Sequence, residues 1–292
     1  MVPKIDVRFS ERAKRMFARI PMTQRVLRWL TSSIYEVMVS VGGVRHYRTF
    51  RGRFNISAAD LSRMHRFAVI RDPDLRRRLT PDYDFGCKRP TFSNGYYRAF
   101  TKPHVHLQDA GIDHIVADGI VGKDGTKNVV DTLVLATGFD LWEANFPPAI
   151  EVIGRDGRDL GKWWRDTRFQ AYQGGVSMPY FPNYLSLASP YAFLGLNFFN
   201  TMEYQMQLMD RLLTEVKRRG ATTFEVTEEA NTAFLNRMTE LLGDSLFTNG
   251  NCGSAHSYYF NPAGEPTLLR PSSTEAAIKE ASEFPLTDYQ IA

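Results

Sequence analysis

Along the first 80 residues, apolar side chains return every three or four positions, a helical period, set in a strongly basic background. Ser10 is placed to cap a helix carrying Met16, Phe17 and Ile20, which Pro21 ends. Thr23 opens a longer helix with the stripe Val26, Leu30, Ile34, Val37, Met38 and Val41, closed by Gly42 and Gly43. Ser57, with Asp60 three positions later, predicts the start of a third helix on the stripe Leu61, Met64 and Phe67. The rhythm breaks at Pro81: from there to Pro90 the chain has proline at both ends and Gly86 inside. That pattern predicts a rigid loop presenting Lys88 and Arg89.

Beyond the loop the period shortens. His104 to Leu107 alternates and predicts a short strand, and Ile112 to Val121 and Lys127 to Ala136 read as further strands reversed by Lys123-Asp124-Gly125. The chain is organised around Asn128 to Asp140. Val129, Val130 and Leu133 to Leu135 make a brief, β-branched run stopped by glycine, which predicts a buried strand. The small residues Ala136, Thr137 and Gly138 at its end let a backbone or a ligand come close. Ile150 to Leu160, with Gly154 and Asp156-Gly157, reads as a hairpin, and Tyr184 to Ala188 as a strand running into Ser189-Pro190. Asn200 and Glu203 predict the start of a helix from Thr201 with the stripe Met202, Met206, Met209, Leu213 and Val216. Another helix is expected from Thr227 to Leu242, followed by a turn-rich tail.

Composition adds limits. The 292 residues are 43% hydrophobic and 23% charged, enough for one large or two medium domains with a real core. Cys87 and Cys252 cannot build a disulfide framework and lack metal-site spacing, which suits a reducing compartment. With no secretory leader before the charged start and no apolar run of membrane-spanning length, a cytoplasmic protein is expected. Residues 1 to 80 hold 18 Lys and Arg against 6 Asp and Glu, a surplus of +12, which leaves 18 against 26, or −8, for the remainder. A basic half of this kind can attract nucleic acid, an acidic partner or a phosphorylated cofactor. It contains no helix-turn-helix or RNA-binding aromatic motif, so solvated helix faces are the simpler account. His46, His65, His104 and His106 read as structural, since no third ligand accompanies His104 and His106.

Several motifs occur together. They are D-T-L-V-L-A-T-G-F-D (Asp131 to Asp140), F-G-C-K-R (Phe85 to Arg89) with G-Y-Y (Gly95 to Tyr97), F-P-N-Y (Phe181 to Tyr184), and S-Y-Y-F-N-P-A-G-E-P-T-L-L-R-P (Ser257 to Pro271). In this order they resemble the flavin-dependent monooxygenases of the Baeyer-Villiger and flavin-containing class. The resemblance implies an α/β fold, an incomplete two-dinucleotide-binding-domain flavoprotein with a helical N-terminal segment. It implies a basic helical segment (1–80), the end of an NADP-binding domain (81–140), the end of an FAD-binding domain (141–220) and a C-terminal helix with extension (221–292).

The same resemblance implies FAD and NADP as cofactors, molecular oxygen and a small-molecule substrate as reactants, and oxygen transfer to a ketone or to a sulfur or nitrogen centre. Arg89 falls at the position of the family's active-site arginine, and Lys88 at a position implied to contact a cofactor phosphate. Thr137 and Gly138 match the crossing between the two nucleotide domains. Ser189 stands where the family usually has glycine, next to flavin. The family's two G-x-G-x-x-G loops and the fingerprint between them do not occur in this sequence. Their absence predicts weak binding of FAD, and sheet edges and apolar faces left uncovered. The chain is then the carboxyl-terminal part of such an enzyme, whose gene product is either longer or split, with a second chain supplying the missing half. The alternatives are a silent remnant and a binder of nucleic acid or an acidic partner through its basic segment.

Overall fold

The computed structural model describes residues 1–4, 8–37, 46–47, 58–138, 150–187, 190–193 and 198–292. In chain order the helices are α1 (Glu11–Arg19), α2 (Pro21–Glu36), α3 (Ala58–Val69), α4 (Pro73–Arg78) and α5 (Tyr96–Ala99). Strands β1 (Ile112–Val116), β2 (Gly119–Gly122) and β3 (Lys127–Val129) follow, then α6 (Leu160–Asp166) and α7 (Phe198–Arg219). The chain closes with β4 (Phe224–Val226), α8 (Glu228–Leu242), α9 (Leu246–Asn249), α10 (Thr274–Glu283) and β5 (Tyr289–Ile291). These fall into two units. One comprises Met1–Ile5, Ala58–Pro81 and Pro90–Phe139, the other Asp6–Ser57, Asp82–Arg89 and Asp140–Ala292.

In the first unit, β1, β2 and β3 form an antiparallel meander. The Asp124-Gly125 reversal falls where expected: Gly125 takes a positive φ of 79°, and the Asp124 carboxylate accepts from the Thr126 N–H at 3.0 Å. The expected strand over Ile112 to Val121 is two strands, turned at residues 117–118. No strand forms over His104 to Leu107; Val105 instead donates back to the Lys102 carbonyl in a turn. Arg78, at the end of α4, grips the Asp109 carboxylate with two bonds of 2.9 Å and so ties the helix to the lead of the meander.

The central expectation of a buried strand is overturned. β3 stops at Val129, and Asp131 to Gly138 are exposed and irregular. Val129 is 72% exposed, Val134 80% and Leu135 74%. The ladder ends because β3 has β2 on one side and, among the described residues, no strand on the other. An apolar run becomes a core strand only when a neighbouring layer covers it.

The second unit holds most of the buried side chains. Ser10 caps α1 as expected, through the Ala13 N–H at 3.3 Å, and Thr227, expected as the first residue of α8, is instead its cap, accepting from the Ala230 N–H at 3.2 Å. Pro21 does close α1's neighbourhood but also serves as the first residue of α2, so that helix begins two positions before Thr23. Met38, Val41 to Gly43 and Ser57 lie outside the described residues.

Helix α7 begins at Phe198, so Asn200 is inside it and not its cap. Its buried face is Thr201, Tyr204, Gln205, Leu208, Leu212 and Glu215, one position off the expected methionine stripe; Met206 and Leu213 are exposed. Three of the polar groups on the inner face sit there with partners, while the Thr201 hydroxyl is buried without one. The Tyr204 hydroxyl donates to the Ala192 carbonyl at 3.0 Å, the Gln205 amide to the Gly174 carbonyl, and Glu215 accepts from Arg218 and Arg219.

Around this face Leu208, Leu212, Phe234, Met238, Ala277 and Phe284 build the main core, closed by the antiparallel pair β4 and β5. A second cluster gathers Trp163, Trp164, Phe169 and Phe181 around α6. Residues 150–160 do turn back on themselves, with Gly154 donating to the Arg158 carbonyl at 2.8 Å, but through one bridged residue pair and a 3-10 turn. Tyr184 to Leu187 form no strand. The part of the expected strand at Ala188 lies outside the described residues.

Candidate functional site

The loop Asp82 to Arg89 is irregular, as its proline and glycine content dictates, yet it is tied down at several points. Asp84 is the hub. Its N–H donates to the Asn251 carbonyl at 3.0 Å, and its carboxylate accepts from the Asn251 N–H at 2.9 Å and from the Tyr47 hydroxyl at 2.7 Å. The Asn251 side-chain amide also donates to the Asp82 carbonyl at 2.7 Å. Gly86 has a φ of 107°, and a Cβ there would lie 2.7 Å from Leu246 Cδ2, so the close turn onto α9 needs glycine.

One residue on, Cys87 is joined to Cys252 by a disulfide, with a Cα separation of 5.2 Å across 165 positions of sequence. Two cysteines make no framework, but the structure does pair them, which spacing alone could not reveal. The bond sits in a third apolar cluster with Leu246, Phe247, Ala255, Tyr259 and Leu269.

The two cations leave this anchored stretch for solvent. Lys88 Nζ stands 5.2 Å from the centre of the Tyr83 ring, and the Arg89 guanidinium 5.4 Å from that of Phe193. Phe193 is itself fixed by the tail: its N–H donates to the Leu268 carbonyl at 3.1 Å and its carbonyl accepts from the Arg270 N–H at 2.9 Å. The tail motif Ser257 to Pro271 therefore acts as the support for the Phe193 ring beneath Arg89.

Arg270, within that motif, is a buried cation that periodicity could not single out. Its side chain is fully covered between the Tyr204 and Phe234 rings, at 5.3 and 5.5 Å. It donates to Ser272 at 2.7 Å, to Gln173 at 3.3 Å and to Glu280. Two tyrosines in the same unit resist ionisation. Burial pushes the Tyr172 hydroxyl well above its usual range, helped by its bond to the Asp288 carboxylate, and burial does the same to Tyr289, which shares a 2.8 Å bond with Ser177.

Lys88 and Arg89 belong to the second unit, and Thr137 and Gly138 to the first. Thr137 and Gly138 are exposed, with Gly138 at a φ of 90°. Ser189 lies outside the described residues. F-P-N-Y lines one side of an open cavity of about 470 Å³ whose other side is residues 152–155. The cation there, Arg155, is paired with Glu225 at 2.9 Å, and the lining offers no acid or nucleophile for chemistry.

The described residues do not fit a dinucleotide. A pyrophosphate cradle is a glycine-rich turn from a parallel strand into a helix N-terminus. Here the sheets are antiparallel, and several helix starts carry carboxylates, Asp72 before α4, Asp159 before α6 and Glu228 in α8. These would repel a phosphate. The site is thus a positioned pair of cations without a cofactor cradle.

No protein-family model matches the chain. A Baeyer-Villiger monooxygenase of Pseudomonas aeruginosa is 34% identical over 294 residues, spanning 100% of this chain and 53% of that protein. One from Streptomyces coelicolor is 28% identical over 293 residues, 100% of this chain and 54% of the relative. The crystal structure of cyclohexanone monooxygenase from Rhodococcus sp. Phi1 bound to NADP+ superposes with a TM-score of 0.68 at 26% identity, covering 80% of this chain and 44% of that one. The fold is therefore that of flavin monooxygenases with two dinucleotide-binding domains, present in part. The chain spans about half the length of the curated relatives it matches, consistent with their carboxyl-terminal part. It belongs to the Baeyer-Villiger class of flavin-dependent monooxygenases.

Proposed function

We propose that this chain is the arginine-bearing half of a flavin- and NADPH-dependent monooxygenase, acting on a ketone or on a sulfur or nitrogen centre. The nucleotide cradles come from residues outside it, on a further segment or a separate chain. FAD and NADP, held there, supply the electrons and the oxygen chemistry. The observation that carries this reading is the anchoring of Arg89: the residue is exposed, its guanidinium stands over the Phe193 ring, and the loop behind it is fixed by Asp84 and the disulfide. A planar, permanently charged donor held in place suits the stabilisation of negative charge developing on a reacting oxygen.

In the same reading Lys88 meets a cofactor phosphate as a point charge, and the small residues Thr137 and Gly138, with Ser189, leave room for a cofactor to approach. Residues 81–140 and 141–220 are the closing parts of the NADP and FAD domains. No described helix is long and apolar enough to cross a membrane. We place the enzyme in the cytoplasm.

The test is reconstitution with the part of the Pseudomonas aeruginosa relative that this chain leaves unmatched, followed by assay of a ketone and a sulfide with NADPH. Arg89→Ala should lower oxygenated product by about a hundredfold or more while the flavin colour stays. A variant as productive as the parent removes Arg89 from its role. Failure of the parent itself to form product favours the silent remnant.

A further inference from the structure

We propose that Cys87 and Cys252 form a redox latch. Joined, they hold the Lys88–Arg89 segment in place; open, they release it. Cys87 immediately precedes Lys88, and Cys252 lies in an irregular stretch between α9 and the 3-10 turn at Gly253–Ala255. Neither end of the bond is set in a long helix or a sheet, so both can move when it opens. Gly86, in a left-handed conformation one residue before Cys87, is a natural pivot. The cluster that contains the pair shares no buried residue with the main core around α7 and α8. Loosening it leaves that core intact, which is the condition for local opening below the free energy of global unfolding.

The bond is also the one covalent tie between two stretches whose polar contacts, among them Asp84 with Asn251, are ones that water can replace. Opening it removes the constraint on a loop of 165 positions, so non-covalent contacts must then bring the ends together. In a reducing compartment a lone pair of adjacent cysteines is more often a sensor than a staple. Both cysteines are buried, Cys252 at 7% exposure the less covered residue and flanked by the open Asn251 and Gly253, and the first oxidation is assigned to it.

The chemistry closes with a hydroperoxide as oxidant. The Cys252 thiolate attacks one oxygen of hydrogen peroxide, the O–O bond breaks, the sulfur becomes a sulfenic acid, and the hydroxide released takes a proton from solvent to leave as water. The Cys87 thiolate then displaces hydroxide, which leaves as water with a proton, and the disulfide forms. A dithiol reductant reverses this, giving up two electrons and two protons and leaving as its own disulfide.

Amide hydrogen exchange of the full 292-residue chain tests the latch without any cofactor. The chain is compared as oxidised by hydrogen peroxide, after reduction by dithiothreitol, and after reoxidation. Peptides over residues 85–89 and 250–253 should exchange about tenfold faster when reduced and recover on reoxidation, with α7 and α8 unchanged. Cys252→Ser should behave as the reduced chain and ignore both reagents. Unaltered exchange on reduction overturns the proposal. So do two thiols still open to iodoacetamide after peroxide, or loss of protection in α7 and α8, which would make the bond a staple of the whole unit. The failure of reconstituted monooxygenase activity would leave these outcomes untouched.

Discussion

The run from Val129 to Leu135 and the loop from Phe85 to Arg89 both carry motifs of the monooxygenase class, and the structure treats them oppositely. The first is strongly apolar and stands open to solvent, with a single strand neighbour at its start. The second is polar and irregular, yet it is fixed by a disulfide, a carboxylate hub and an aromatic ring. Hydrophobicity alone would rank them the other way round. A motif records where a segment sits in a complete enzyme, whereas its burial depends on whether the covering layer belongs to the same chain. The Arg89 loop carries its own support in the tail, and the Val129 run has no such support among the described residues.

That contrast can be broken in graded steps. The largest effect is expected at Arg270, the buried cation behind Phe193. Arg270→Ala takes a fully buried side chain from between the Tyr204 and Phe234 rings, strips Gln173 and Ser272 of this donor and leaves Glu280 with Arg237 alone, and should lower stability by about 3–5 kcal/mol in urea unfolding. A loss below about 1 kcal/mol would mean that the tail does not hold up the Arg89 site.

A smaller effect is expected with pH. Tyr172 and Tyr289 have hydroxyls whose folded ionisation lies above the usual value of 10.0. The unfolded chain ionises first, so the stability linked to these groups is complete below pH 10 and declines as pH rises beyond it. Tyr172→Phe should flatten that alkaline decline in thermal melts; a variant that declines as steeply as the parent would detach Tyr172 from it.

The smallest effect is expected at the open run. Val134→Ser with Leu135→Ser, at exposed positions, should change the stability of this chain by no more than about 0.5 kcal/mol. The same pair should abolish association with a partner that covers the run. A cost above about 1 kcal/mol in the isolated chain would show that the run is already packed.

The sequence made some features plain. Ser10, Thr227 and the Asp124-Gly125 reversal were legible because each is settled by hydrogen bonds within a few residues. The family was legible from short motifs spread along the chain. The inner face of α7 was not, because Tyr204, Gln205 and Glu215 are buried through partners on other segments or turns that a hydrophobic stripe ignores. The burial of Val134 and Leu135 was expected from their own chemistry, when it turns on a covering layer that the described residues do not supply. At the site, Lys88 and Arg89 stood out as adjacent cations in a rigid loop. Asp84 and Asn251, which hold them, are 167 positions apart and the joined cysteines 165, and nothing local announces either pairing.

The central claim is that a self-supported arginine site here waits on a cofactor cradle carried elsewhere. Co-expression with the unmatched part of the Pseudomonas aeruginosa relative, followed by flavin absorbance and amide exchange over residues 129–135, tests it most directly. The account predicts a yellow complex in which those amides become protected, and a colourless chain when it is expressed alone. Stoichiometric flavin on the chain alone, or a complex that leaves the run exchanging freely, would contradict it.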